Sequence, residues 1–157
     1  MCLIIDNDVA QRVLSVDDDP DLKFLHCCLF SKNSNEHKVP KNLHVCLVYG
    51  GQLLEEYQRN HKVWRLLLQL DRAGKAKLVS NEKIDDELST VRSLGVCRSN
   101  DVHIIALARA ANVRLLCSND NTLWDDFRDK RLIDKPRGKI YLRDSEHRDL
   151  LVKCCRK

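Results

Sequence analysis

Two apolar runs in this chain end in aspartate: Leu3-Ile4-Ile5 leads into Asp6, and Leu115-Leu116-Cys117 leads through Ser118-Asn119 into Asp120. A third carboxylate, Asp101, opens the helical stretch SNDVHIIALARAA just before the second run. Ile104, Ile105, Leu107 and Ala108 press that stretch against a sheet. Glu55 and Glu56 stand early in another periodic stretch, among Leu53, Leu54 and Tyr57. Taken singly, each acid has a plain structural role. An aspartate after a strand caps the next helix, one in a first turn complements the helix dipole, and a helical glutamate commonly faces water. Taken together, four acids from four segments at one sheet edge make an oxygen-only pocket. Such carboxylates raise one another's pKa unless cations neutralise them. The ions suited to the pocket are Mg²⁺ or Mn²⁺, hard and octahedral. Ions held this way acidify water and clamp the charge of a phosphodiester. No glycine-rich phosphate loop is present, which argues against nucleotide hydrolysis.

The elements that must position these acids follow from periodicity. Residues 2–6, 43–49, 77–80, 113–117 and 139–142 read as strands. Helices are expected at 9–14, capped by Asn7 or Asp8, at 22–30, and at 52–72 as one long element. Further helices are expected at 81–94, ended by Gly95, at 101–112 and at 121–130. Asp17–Pro20 breaks the first pair of helices, and the polar Ser31–Asn42 stretch reads as a surface loop. Strands alternating with helices imply an α/β fold whose parallel sheet is covered on both faces. In such sheets ligands bind beyond the carboxyl ends of the strands. The chain reads as one domain, 1–157, with a basic C-terminal segment at 128–157 that includes the last strand.

Charge supports a partner of one kind. The 27 Lys/Arg and 23 Asp/Glu give a net charge of only +4. From Arg128 to Lys157, however, eleven basic residues face five acidic ones, a net of +6, and the first 127 residues carry −2. Arg128, Lys130, Arg131, Arg137 and Lys139 are the expected phosphate-holding flank of the acidic site. No apolar run approaches the roughly 18 residues that cross a bilayer. The run Cys2–Ile5 is too short for a signal peptide. A cytoplasmic protein without membrane association is expected.

The eight cysteines contain no CxxC pair, so they read as reduced, mostly buried thiols rather than a zinc frame. The six histidines show no metal spacing. Trp64, Trp124 and Phe127 fall at core-like positions on helices. Two decoys fail on their residues. VLSVDDDPDL resembles the acidic start of a phosphorelay receiver, but the run Leu43–Tyr49 ends in Gly50-Gly51 rather than an acceptor aspartate. Asp6-Asn7-Asp8 mimics the DxD of aspartate-nucleophile phosphatases, but the following Val-Ala-Gln lacks the needed hydroxyl.

In order and spacing, CLIIDND, YGGQLLEEY, SNDVHIIALA and VRLLCSNDNTLWDDF resemble the motif series of PIN-domain ribonucleases, over nearly the whole chain. The resemblance implies a three-layer α/β/α sandwich around about five mainly parallel strands. It also implies a Mg²⁺- or Mn²⁺-dependent endoribonuclease. Its catalytic and metal-holding acids would be Asp6, Glu56, Asp101 and Asp120, with Glu56 preferred over Glu55 because an aromatic residue, Tyr57, follows it. Where this chain has Asn7-Asp8, the family usually has a small residue and then Asn, so Asp8 reads as an added acid or as a helix cap. Asn121 and Asp125 lie on the helix after Asp120, within reach of a metal-bound water, although exposure is the commoner outcome for Asp125. The implied partners are single-stranded or looped RNA, an antitoxin protein for a toxin role, and a second copy in a homodimer. The alternative is a non-catalytic RNA- or partner-binding module on the same scaffold.

Overall fold

Leu3, Ile4 and Ile5 are fully buried, as expected of an apolar run in a parallel strand covered on both faces. They open the fold as β1 (Ile4–Ile5). The computed structural model describes residues 3–15, 19–30, 38–40 and 43–155. After β1 come α1 (Asn7–Leu14), a 3₁₀ turn (Pro20–Leu22), α2 (Lys23–Phe30), β2 (Leu47–Tyr49), α3 (Gly51–Arg59) and α4 (His61–Arg72). Then follow β3 (Ala76–Leu78), α5 (Asn81–Leu94), α6 (Val102–Ala111), β4 (Leu115–Cys117), α7 (Asn121–Arg128), β5 (Lys139–Ile140) and α8 (Asp144–Cys155).

The strands pair in two small parallel sheets, one ordered β1-β4-β5 and the other β2-β3. Ile4 aligns with Leu116, Leu115 with Lys139, and Leu47 with Ala76. Leu3 also bridges Leu47 in parallel: its N–H donates to the Cys46 carbonyl at 3.2 Å, and the Val48 N–H donates to its own carbonyl at 2.8 Å. The α/β class is therefore as expected. The strands are shorter than the apolar runs, and their ladders make two sheets where one of about five strands was expected.

Several boundaries differ from the periodicity, each for a local reason. α1 starts at Asn7 because Asp6 itself is the cap, its Oδ1 accepting the Asn7 N–H at 2.7 Å. The expected single helix over 52–72 is two. Asn60 turns extended (φ −104°, ψ 99°) and its side chain accepts from the Lys62 and Val63 N–H groups, which starts α4 afresh. An asparagine offers the backbone this alternative wherever the next helix can use it. Gly95 (φ 64°) and Asn112 (φ 55°) end α5 and α6 in the left-handed conformation. α8 was not expected. It enters the fold through Asp144, a buried carboxylate that accepts from the Phe24 N–H at 2.5 Å and the Leu25 N–H at 3.2 Å, capping α2 from 120 residues away. Most of the expected loop Ser31–Asn42, and Val16–Asp18, lie outside the described residues.

The core runs from β1 and β4 into α6, where Ile104 through Ala108 are all fully buried, and into the Val63, Leu67 and Leu70 face of α4. Phe127 is buried and Trp64 packs on the core. Cys27, Cys28 and Cys117 are buried free thiols, and Cys46 and Cys97 are half-buried ones. Burial pushes the Cys28 thiol up to about 12, so it behaves as a small apolar side chain. Cys2 and the side chains of Cys154 and Cys155 lie outside the described residues. Among the described residues no helix is long and apolar enough to cross a membrane.

Candidate functional site

β1 and β4 are paired and parallel, so the residues that follow them leave the sheet at the same edge. The Asp6 N–H donates to the Cys117 carbonyl at 2.8 Å, which puts Asp6 beside the turn Ser118–Asp120. Ser118 then sets the spacing of two acids. Its hydroxyl donates to Asp6 Oδ2 at 2.8 Å and accepts the Asp120 N–H at 3.0 Å. The Asn119 N–H donates to Asp8 Oδ2 at 3.0 Å. Asp120 caps α7, accepting from the Thr122 N–H at 2.7 Å and the Leu123 N–H at 3.3 Å. Trp124 supports this turn from below, its indole N–H donating to the Ser118 carbonyl at 2.7 Å.

Asp101 arrives from another direction. It is the N-cap residue of α6, yet its side chain makes no capping hydrogen bond. Its charge is felt across the edge instead. Burial first, then the nearby carboxylates of Asp8 and Asp101, push Asp6 up to about 6, although the Ser118 and Asn7 hydrogen bonds oppose the rise. Asp8 is also raised, by burial and by Asp101 and Asp120. Asp8 is thus not the helix cap but a member of the acidic group. Asp6, Asp8, Asp101 and Asp120 are electrostatically one cluster, drawn from β1, α1, α6 and the turn after β4.

Glu56 stands beside this cluster. Its Oε1 accepts from the Gln52 side chain at 3.1 Å and lies 3.5 Å from Nε2 of His103, which projects from α6. Burial holds the His103 imidazole below its ordinary range, against the pull of Glu56 and Asp101. Tyr57, fully buried, donates its hydroxyl to the Ile5 carbonyl and so ties α3 to the end of β1. Glu55 is exposed, as are Asp125 and Asn121.

As the side chains stand, no three His, Cys, Asp or Glu residues among those described are grouped closely enough to hold a metal ion. The donor chemistry is nevertheless that of a hard cation. It consists of carboxylate oxygens whose mutual repulsion is already visible at Asp6 and Asp8. Two further polar atoms at this edge, Asn7 Oδ1 and His103 Nε2, are buried without a hydrogen-bond partner.

The basic residues expected to flank this edge lie elsewhere. Lys139 aligns with Leu115, the first residue of β4, and Arg128 is the last residue of α7. Eight helical residues, about 12 Å, separate Arg128 from Asp120. Arg128, Arg137 and Lys139 therefore sit toward the amino ends of the strands. Arg131 is bound by Asp129, Nη2 to Oδ2 at 2.6 Å.

One structural acid was missed. Asp126 is buried and accepts from the Arg98 N–H at 2.9 Å, the Ser99 N–H at 2.7 Å and the Cys97 thiol at 3.1 Å. It pins the loop that delivers Asp101 onto the helix that Asp120 caps. Its signal was present, since an acid three residues after Leu123 and beside Phe127 lies on an apolar helix face. Ser118 was missed as well, for it reads as turn punctuation until its two partners are known. No family model, curated protein or solved structure matches this chain.

Proposed function

We propose that the protein is a divalent-metal-dependent endoribonuclease acting at the edge built by Asp6, Asp101 and Asp120, with Glu56 beside them and Asp8 as an added acid. The observation that carries this reading is the state of Asp6. It is a nearly buried carboxylate at the end of a parallel strand, raised to about 6, with the carboxylates of two further positions pressing on it. A stable fold gains nothing from gathering such charges unless something positive offsets them. Mg²⁺ or Mn²⁺ held by these oxygens would supply charge that acidifies water and offsets that of a phosphodiester.

The chain's own groups account for the rest. Ser118 fixes the Asp6 carboxylate toward Asp120, and the Asn119 N–H orients Asp8. Tyr57 holds the end of β1 against α3. His103, whose imidazole burial holds below its ordinary range, lies 3.5 Å from Glu56 and walls its carboxylate on the α6 side. The Leu3–Leu47 bridge supports reading the two sheets as one, in the order β3-β2-β1-β4-β5, within the PIN-like sandwich. A toxin role with an antitoxin partner, and a homodimer, extend the reading through the motif resemblance alone.

The test is cleavage of a fluorescent single-stranded RNA with Mg²⁺ or Mn²⁺, with EDTA, and with Asp6→Asn and Asp120→Asn. The expected result is a loss of at least a hundredfold in EDTA and in each variant. Cleavage that survives in EDTA or in both variants sinks the reading. RNA binding without any cleavage would favour the non-catalytic module.

A further inference from the structure

Three basic residues that the acidic edge does not use converge in a hollow of about 370 Å³ at the other end of α7. Arg128 closes the helix, Arg137 and Lys139 bracket the start of β5, and His147 of α8 forms the opposite wall. No acidic residue among those described lines it. Among the described residues, Arg128, Arg137 and Lys139 form neither ion pairs nor side-chain hydrogen bonds with other groups.

The neighbouring hollow, about 290 Å³, makes the contrast plain. Its Arg109, Arg114, Lys130 and Arg131 share it with Glu87 and Asp134. Arg109 is bound to Glu87 at 2.5 Å and Arg131 to Asp129 at 2.6 Å. There acidic side chains share the wall, and two of the four cations are ion-paired.

The convergence in the first hollow is built into the backbone. Gly138 lies so close to α7 that a Cβ at this position would stand 2.0 Å from the Phe127 carbonyl oxygen and 2.4 Å from its ring. Only glycine admits that approach, and it brings Arg137 and Lys139 up to Arg128. His147 is fixed beside them by the backbone, its Nδ1 accepting from the Leu142 N–H at 3.3 Å.

We infer that this groove is a phosphate-binding exosite for the backbone of single-stranded RNA, distinct from the acidic edge and about one helix length away from it. The inference rests on the ribonuclease reading for the identity of the polyanion. The chemistry favours a phosphodiester chain over an acidic protein surface. Exposed cations on flexible stems, with no aromatic side chain among the groove's lining residues, suit repeating charges that need no shape match. Protein interfaces rely instead on buried anchors. A substrate engaging both sites would have to run several nucleotides along α7, so the groove would favour longer RNA over dinucleotides.

Fluorescence anisotropy of a labelled oligouridylate in EDTA reads the groove without cleavage. Arg128→Gln, Arg137→Gln and Lys139→Gln combined should weaken binding about 50-fold at about 150 mM salt and lower the salt slope by about 2. Lys130→Gln with Arg131→Gln should leave both unchanged. All five side chains are exposed, and circular dichroism would verify that each variant folds. No binding by the unaltered protein, equal binding by the triple variant, or an equal loss in the Lys130/Arg131 variant overturns the inference. So does an oligoglutamate peptide that binds as tightly with the same dependence on the three residues, which would point to an acidic protein partner. The two readings fail separately. Groove-dependent binding without cleavage in Mg²⁺ removes the nuclease and leaves the exosite, and cleavage without groove dependence does the reverse.

Discussion

Like charges gather at both ends of α7, acids around Asp120 at its start and cations around Arg128 at its end. Each sign suits the helix dipole at its own terminus, but the two groups are housed differently. At the acidic edge Asp6 is almost out of water and is held by Ser118 and the Asn7 N–H. In the basic groove Arg128, Arg137 and Lys139 stand in solvent with nothing holding them. Burial makes Asp6 sensitive to pH and to divalent ions, and little affected by ordinary salt. Exposure makes the second sensitive to salt and little else. Acids oriented around a buried Asp6 suit chemistry at one point, whereas exposed, unpaired cations suit a chain that slides.

The sharpest way to break this comparison is to remove the groove while sparing the edge. Gly138→Ala forces β5 and the end of α7 apart, because no rotation relieves a contact with the Phe127 carbonyl. A loss of about 3 kcal/mol is expected, about 10 °C in thermal unfolding. RNA binding should lose its steep salt dependence, while stabilisation by Mn²⁺ persists. If both are lost together, the two regions are not independent.

The converse variant is Asp126→Asn. An amide oxygen in the place of Oδ2 can keep the Ser99 N–H and the Cys97 thiol, but the new NH₂ group then confronts the Arg98 N–H that Oδ1 had accepted at 3.1 Å. The cost should be about 2 kcal/mol by chemical denaturation. The consequence should fall on the acidic edge, through the loop that carries Asp101: weaker Mn²⁺ stabilisation and slower cleavage, with an unchanged salt slope for RNA binding. Unaltered Mn²⁺ response would show that Asp126 holds the fold and not the site.

What could be read from the chain divides along the same physical line. Asp6, Asp101 and Asp120 were visible because a strand or helix boundary announces itself through local residues, as did the helix end at Gly95. Glu56 was separable from Glu55 only by its neighbour Tyr57; in the fold Glu55 is exposed and Glu56 is half-buried beside His103. Ser118 and Asp144 were not visible in these roles, and of Asp126 only its place on an apolar helix face was. Each is defined by a partner 27 to 120 residues distant, and periodicity carries no such information. The break at Asn60 was hidden by an apolar period that continues across it. The basic segment was rightly seen as basic and placed at the wrong edge, since charge in a sequence has a sign but no direction.

The finest test compares the cost of like charge in the two places. In EDTA at pH 7 to 8 the ionised Asp6 is a burden. Its folded pKa of about 6 lies above its ordinary 3.8, so the folded state binds the proton more tightly. Stability should therefore fall as pH rises through that interval, with the whole penalty present above it, at most about 3 kcal/mol. Asp6→Asn removes the charge; its oxygen can accept from Asn7 and its NH₂ can donate to the Ser118 oxygen, while the Ser118 hydroxyl proton loses its carboxylate acceptor. The variant should gain about 1 to 2 kcal/mol at pH 7 to 8, gain nothing near pH 4, and vary little with salt. Mn²⁺ should reverse the order by stabilising only the unaltered protein. Neutralising Arg137 instead should change stability by less than about 0.5 kcal/mol, and that change should vanish in salt. Equal and salt-sensitive gains at both positions would mean that the acidic edge is solvated like the groove, and the case for a cation there would lose its physical basis.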